Sequence, residues 1–77
     1  MAANLSIRYD NVGDILYIDT VEPYPEQESE HIADDVIARL NPKTGVIETI
    51  EVLFYDERTR RGERLDLPIL ANLRPAR

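Results

Sequence analysis

Cysteine is missing from this 77-residue chain, histidine occurs once and glycine only three times. Without cysteine there is no disulfide, no thiolate zinc site and no thiol nucleophile, a composition suited to a reducing cytoplasm. So few glycines do not make a glycine-rich phosphate loop, and neither Ser6 nor Ser29 stands in a Gly-x-Ser-x-Gly elbow or beside a His and acid pattern. No apolar run reaches the length of a bilayer span. The opening MAANLSIRYD has neither the basic flank nor the apolar core of a signal peptide, so a cytoplasmic location without membrane attachment is expected. Length sets a further bound. A globule this small buries only about 60–65% of the surface its unfolded chain exposes. With no disulfide to help, the expected remedies are tight hairpin packing and burial against a second copy or another protein.

The net charge of −6 is unevenly spread: residues 1–57 carry −10 and residues 58–77 carry +4. An acidic body repels phosphates, which disfavours nucleic acid as the general partner and favours a basic protein.

The strongest local signal is Asp35 to Leu53, DVIARLNPKTGVIETIEVL, which reads as a β-hairpin. Pro42 presets φ for a type I turn and Gly45 supplies the left-handed residue that closes it. Before the turn, Val36, Ala38 and Leu40 share one face and Ile37 and Arg39 the other. After it the alternation is broken at Glu48, consistent with a bulge there or with a helix beginning near Glu51. The β-branched residues at 46, 47, 49, 50 and 52 favour strand over 46–52. Upstream, Leu5, Ile7 and Tyr9 alternate with Ser6 and Arg8 as a half-buried strand. Asp10 to Asp14 is a turn, with Gly13 available for positive φ, and Ile15 to Val21 is a strand apolar on both faces. These make a first hairpin.

Between the hairpins, Glu22 to Glu30 (EPYPEQESE) holds two prolines and four glutamates, which argue against regular pairing and for an exposed loop or a charged sheet edge. His31 to Ala33 reads as a short strand. After the second hairpin, Asp56 is placed to cap a short helix over Glu57 to Arg61, which Gly62 ends. Leu65 to Leu73 has apolar residues at every odd position and reads as a last strand, held at an edge by Pro68, before a frayed Arg74 to Arg77. The expected fold is α+β and mainly β, a small antiparallel sheet of two hairpins with a short helix and a C-terminal edge strand. It is a single domain over 1–77, with a core at 5–61 and an extension at 62–77.

Several pieces stand in a fairly specific order: Tyr9-Asp10, then Asp14-Ile15-Leu16-Tyr17-Ile18, the acids leading into Val36-Ile37, Gly45-Val46-Ile47, and Ile50-Glu51-Val52-Leu53. In these, over roughly residues 5–60, the chain resembles the small bacterial domain-of-unknown-function family 2283. The resemblance implies a small, mainly β domain with no established activity. Some members are held to be encoded beside small toxin-like proteins, which implies an antitoxin or partner role. The acidic loop at 22–30 and the extension after Arg61 depart from the pattern.

Three groups of residues invite a functional reading. Tyr9, Asp10, Asp14 and Tyr17 gather around the first turn, where the carboxylates suit the turn's backbone N–H groups and the rings suit the rim of a core. Their alternative is a polar contact site for a partner. Glu28, Glu30, His31, Asp34 and Asp35 resemble a metal set, but an extended segment sends alternate side chains to opposite faces, so a solvated acidic edge is expected instead. Arg58, Arg60, Arg61 and Arg64 could clasp phosphates with their forked donors, or pair with the acidic body. Hairpins of this size also leave little concavity in which to displace a pKa, so neither catalysis nor a cofactor is expected. The function read from the sequence is a non-enzymatic protein-binding domain, antitoxin-like, neutralising a small basic protein by occlusion. Glu22, Glu26, Glu28, Glu30 and Tyr24 would supply the contacts, with a homodimer as the simplest assembly. The competing reading is a dimeric nucleic-acid-binding regulator using Arg58, Arg60, Arg61 and Arg64.

Overall fold

The computed structural model describes residues 4–76; Met1 to Ala3 and Arg77, the end of the expected frayed tail, lie outside the described residues. Five strands run as β1 (Ser6–Asp10), β2 (Ile15–Asp19), β3 (Glu28–Ala33), β4 (Val36–Leu40) and β5 (Ile47–Leu53), followed by one helix, α1 (Tyr55–Arg60). All pairings are antiparallel, in the spatial order β1-β2-β5-β4-β3. The two expected hairpins are present, and a further hairpin adds β3 beside β4. What joins the halves is β2 against β5, with Leu16 opposite Val52 and Ile18 opposite Ile50.

Cross-strand partners share a face, so the register sorts the side chains. Val36, Ala38, Ile50 and Val52 form the buried apolar core, and Leu16 and Ile18 pack beside it. The opposite face carries Arg8, Tyr17, Asp19, Arg39, Thr49 and Glu51. There Asp19, Thr49 and Glu51 are buried beneath longer neighbours, with Arg8 Nε donating to Asp19 Oδ2 at 2.7 Å and Arg39 Nε donating to Glu51. The irregular alternation near Glu48 is a register shift: Arg39 pairs with Thr49, but Leu40 pairs with Ile47. The extra residue lets Ile47 pack against the core.

In the β4–β5 turn Gly45 has φ 75°, and Asn41 Oδ1 accepts from the Lys43 and Thr44 N–H groups. The first turn differs from expectation, because Asp14 rather than Gly13 takes positive φ, at 57°. Gly13 sits close to Asp10 instead: a Cβ there would stand 3.0 Å from Asp10 Oδ2, so that carboxylate would have to give by a few tenths of an ångström.

Three further expectations are corrected. Of the two alternatives for the acidic segment, Glu28 to Glu30 form the charged sheet edge, but contrary to expectation they pair regularly, with Leu40, Arg39 and Ala38, because edge position leaves the carboxylates in water while the backbone bonds on one side only. Asp56 is not the helix cap; α1 begins two residues earlier than expected, with Phe54 at the N-cap in a left-handed conformation and no side-chain cap of its own. Leu65 to Leu73 is not a strand. Its alternation is real, since Leu65, Leu67 and Ile69 pack against the core while Asp66, Pro68 and Leu70 are exposed. But this arm lies over the apolar face of the sheet rather than along an edge, and its local bond runs from the Ile69 N–H to Leu67 O around Pro68. The sheet needed a second layer more than a sixth strand.

Candidate functional site

The first-turn residues divide between the two faces of the sheet. Tyr9 lies opposite Leu16, on the apolar side, whereas Tyr17 lies opposite Arg8, whose guanidinium sits 4.2 Å from the Tyr17 ring centroid. Asp10 serves the turn, its Oδ1 accepting from the Val12 and Gly13 N–H groups at 3.0 and 3.2 Å. Asp14 does something the sequence did not suggest. Its Oδ1 accepts from Tyr9 Oη at 2.7 Å and from the Asp56 N–H at 2.8 Å, while its backbone carbonyl accepts from the Tyr55 N–H at 3.2 Å. Because Phe54 has no side chain able to cap, Asp14 caps α1 from across the fold. The Asp56 N–H, followed by the Tyr9 hydroxyl, holds the Asp14 carboxyl below its usual pKa; the same contact pushes the Tyr9 phenol up to about 12. Tyr55 meets Tyr9 edge to face, with ring centroids 6.0 Å apart.

Glu48 centres a second knot at the other end of the sheet. It accepts from Tyr24 Oη at 2.6 Å, Gln27 Nε2 at 3.0 Å and Asn41 Nδ2 at 3.2 Å. Tyr24, expected as an anchor for a partner, is thus half-buried and fastens its own loop. The Tyr24 hydroxyl, then the Gln27 amide, lowers the Glu48 pKa, and Glu48 raises that of Tyr24 to about 12. The sequence signal was present: a glutamate interrupting an apolar strand face needs partners, though nothing in the pattern says which.

The acidic residues are placed differently. Glu22 and Glu26 are exposed on the loop entering β3, and Glu28 and Glu30 are exposed on β3 itself, one edge of the sheet. None of these four carboxylates lies in an ion pair among the described residues. Also among the described residues, no group of three or more His, Asp or Glu side chains comes together as a metal site.

Arg58, Arg60, Arg61 and Arg64 each have an acidic side chain close by in the chain. Arg58, only 13% exposed, donates through Nη2 to the Asp34 carbonyl and lies 3.8 Å from Asp35; this pins α1 to the β3–β4 turn. Arg60 meets Asp56 at 3.0 Å, Arg61 meets Glu63, and Arg64 meets Asp66 at 3.0 Å. The latter three pairs are solvent-exposed and weak, so they set local charge rather than stability.

The other edge, β1, differs from β3. Leu5, Ile7 and Tyr9 are 51%, 69% and 47% exposed. Beside Leu5 runs an open apolar groove floored by Ile18 and Ile50 and walled by Ile69, Leu70 and Leu73 of the arm. Among the described residues, no helix is long and apolar enough to cross a membrane.

A family model described as "Protein of unknown function (DUF2283)" matches residues 6–54, which is well over half the chain and runs from the start of β1 to the N-cap of α1. The acidic loop lies inside the match; α1 and the C-terminal arm lie beyond it. No curated protein and no solved structure matches.

Proposed function

The chain belongs to this family of proteins of unknown function, and, since that description assigns no activity, we propose from its charge distribution that it is a non-enzymatic, cytoplasmic protein-binding domain that neutralises a small basic protein. The observation that supports this reading is the set of exposed carboxylates of Glu22, Glu26, Glu28 and Glu30 along one sheet edge and its approach, none of them in an ion pair among the described residues. Such an edge speeds encounter with a cationic surface and offers its carboxylates as acceptors to the basic side chains of the partner once contact is made. The arginine cluster favours the competing nucleic-acid reading less, because Arg58 is largely enclosed and Arg60, Arg61 and Arg64 each have a carboxylate close by.

The test is affinity capture of the tagged full chain at moderate salt, with co-purifying protein and nucleic acid both assayed. The expected result is one small basic protein at a fixed ratio, lost in the variant carrying E22K, E26K, E28K and E30K and weakened by added salt. Nucleic acid alone, lost when the four arginines are replaced, would establish the regulator instead.

A further inference from the structure

The two edges of the sheet are defended unequally. β3 carries Glu28 and Glu30 and a register shift between His31 and Ala33, three features that discourage pairing with another strand. β1 (SIRYD) has no proline, no lysine and no bulge, and all five of its residues are exposed. Its single cation is drawn inward, with Arg8 Nε on Asp19 Oδ2 at 2.7 Å and its guanidinium over Tyr17, so it does not guard the edge. Its apolar side chains extend the core face outward, since Ile7 lies opposite Ile18 and Tyr9 opposite Leu16.

We propose that β1 pairs antiparallel with β1 of a second copy of this chain, across a two-fold axis at Ile7, joining two five-stranded sheets into one. The occupant follows from the pattern of charge and face along the strand. A two-fold axis normal to the sheet keeps each face on its own side, so only residues of the same parity can stand opposite one another. Two registers are then central. With Arg8 on the axis, two like charges stand directly opposite, Ser6 meets Asp10, and Leu5 is left outside. With Ile7 on the axis, Ile7 meets Ile7 of the second copy, Leu5 meets Tyr9, Arg8 meets Ser6 and Asn4 meets Asp10. This second register covers all three exposed apolar residues of the edge, lengthens the ladder beyond β1 at its start, and leaves no charge opposite its like. It also continues the apolar surface into the groove beside Leu5. This pairing is independent of the proposed function, which uses the opposite edge.

The test is the mass of the full chain in solution, by light scattering at tens of micromolar, together with two kinds of variant. Twice the 8.9 kDa chain mass is expected. Ile7→Lys places like charges on the axis and should give the single-chain mass with an unchanged far-ultraviolet circular dichroism spectrum, because Ile7 is 69% exposed and contributes little to the fold. Since the chain has no cysteine, Ile7→Cys and Ser29→Cys report each edge separately: mild oxidation should cross-link the first pair of chains and not the second. A single-chain mass for the unaltered protein, a dimer that survives Ile7→Lys, or cross-linking through Ser29→Cys in preference to Ile7→Cys would overturn the proposal.

Discussion

Asp14 ties the first hairpin to a helix that begins some forty residues later, and it does so with one carboxylate oxygen shared between the Tyr9 hydroxyl and the Asp56 N–H. Replacing it with alanine removes the cap and leaves the Asp56 N–H and the Tyr9 hydroxyl to water. Asparagine keeps the acceptor at lower strength. The expected outcome is a thermal midpoint lower by several degrees for Asp14→Ala and by less for Asp14→Asn, measured by circular dichroism. The phenols give a second prediction. Tyr9 and Tyr24 are pushed up to about 12 by Asp14 and Glu48. A group whose proton is held more tightly in the folded state stabilises the fold fully below its unfolded pKa and loses that contribution as pH rises through the folded one. The corresponding stability is therefore complete below pH 10, the ordinary value, and is lost between 10 and about 12. An ultraviolet titration of tyrosinate should show the absorbance amplitude that appears near 12 fall by half in Tyr9→Phe, and likewise in Tyr24→Phe; an unchanged late amplitude in either variant would contradict the assigned bonds.

At the scale of elements, the C-terminal arm acts as the second layer that a single sheet requires. Leu65, Leu67 and Ile69 are half-buried against Val36, Ile50 and Val52. Removing the chain after Glu63 exposes that surface at about 1 kcal/mol for each half-buried side chain. The total of about 3 kcal/mol corresponds to a thermal midpoint lower by roughly 15 °C in a domain of this size. Removing it after Ile69 should cost little, because Leu70 and Leu73 are exposed. Denaturant unfolding of the two truncated chains beside the full chain checks this, and equal losses would mean that the arm does not act as a layer. The helix is the opposite case. α1 has six residues, too few to hold themselves, and none is fully buried. It is held by its ends: Asp14 caps its start and Arg58 ties it to the Asp34 carbonyl. The Gly62 and Glu63 N–H groups close its finish on the Thr59 and Arg58 carbonyls, with Gly62 left-handed at φ 67°.

At the scale of the molecule, two depressed carboxylates secure the sheet's two ends. Asp14 holds α1, and Glu48 holds the loop before β3 together with Asn41 of the β4–β5 turn. Both have folded-state pKa values below the ordinary 3.8 and 4.5, so their contribution is present above those values and is lost as pH falls through the lower folded ones. The contribution of these two carboxylates should therefore be level from neutral pH down to about 4.5 and drop below it. Urea midpoints measured across that range should show the drop reduced in Glu48→Gln, which cannot titrate; the same drop in that variant would remove Glu48 from the account.

Much of the fold was legible because it depends on neighbours in sequence. The Asn41 to Gly45 turn, the alternation of Val36 and Ala38 and the β-branched run of β5 each specify local geometry, and the antiparallel, mainly β class follows from them. The self-pairing of Arg60, Arg61 and Arg64 is local too, since each partner lies two to four residues away. The rest was decided by contacts between distant parts of the chain. Alternation at Leu65 to Ile69 states that one side is buried, but it is the same for a strand beside a sheet and a segment lying across it; only the open apolar face settled which. Tyr9 and Tyr17 look equivalent in sequence until register sends them to opposite faces. Asp14 looks like a turn residue until α1 arrives to be capped. Sequence determined which residues seek burial and where the chain turns, because those are local properties. Which edge is acidic and which is apolar was decided by the order β1-β2-β5-β4-β3, a tertiary choice made by pairing β2 with β5.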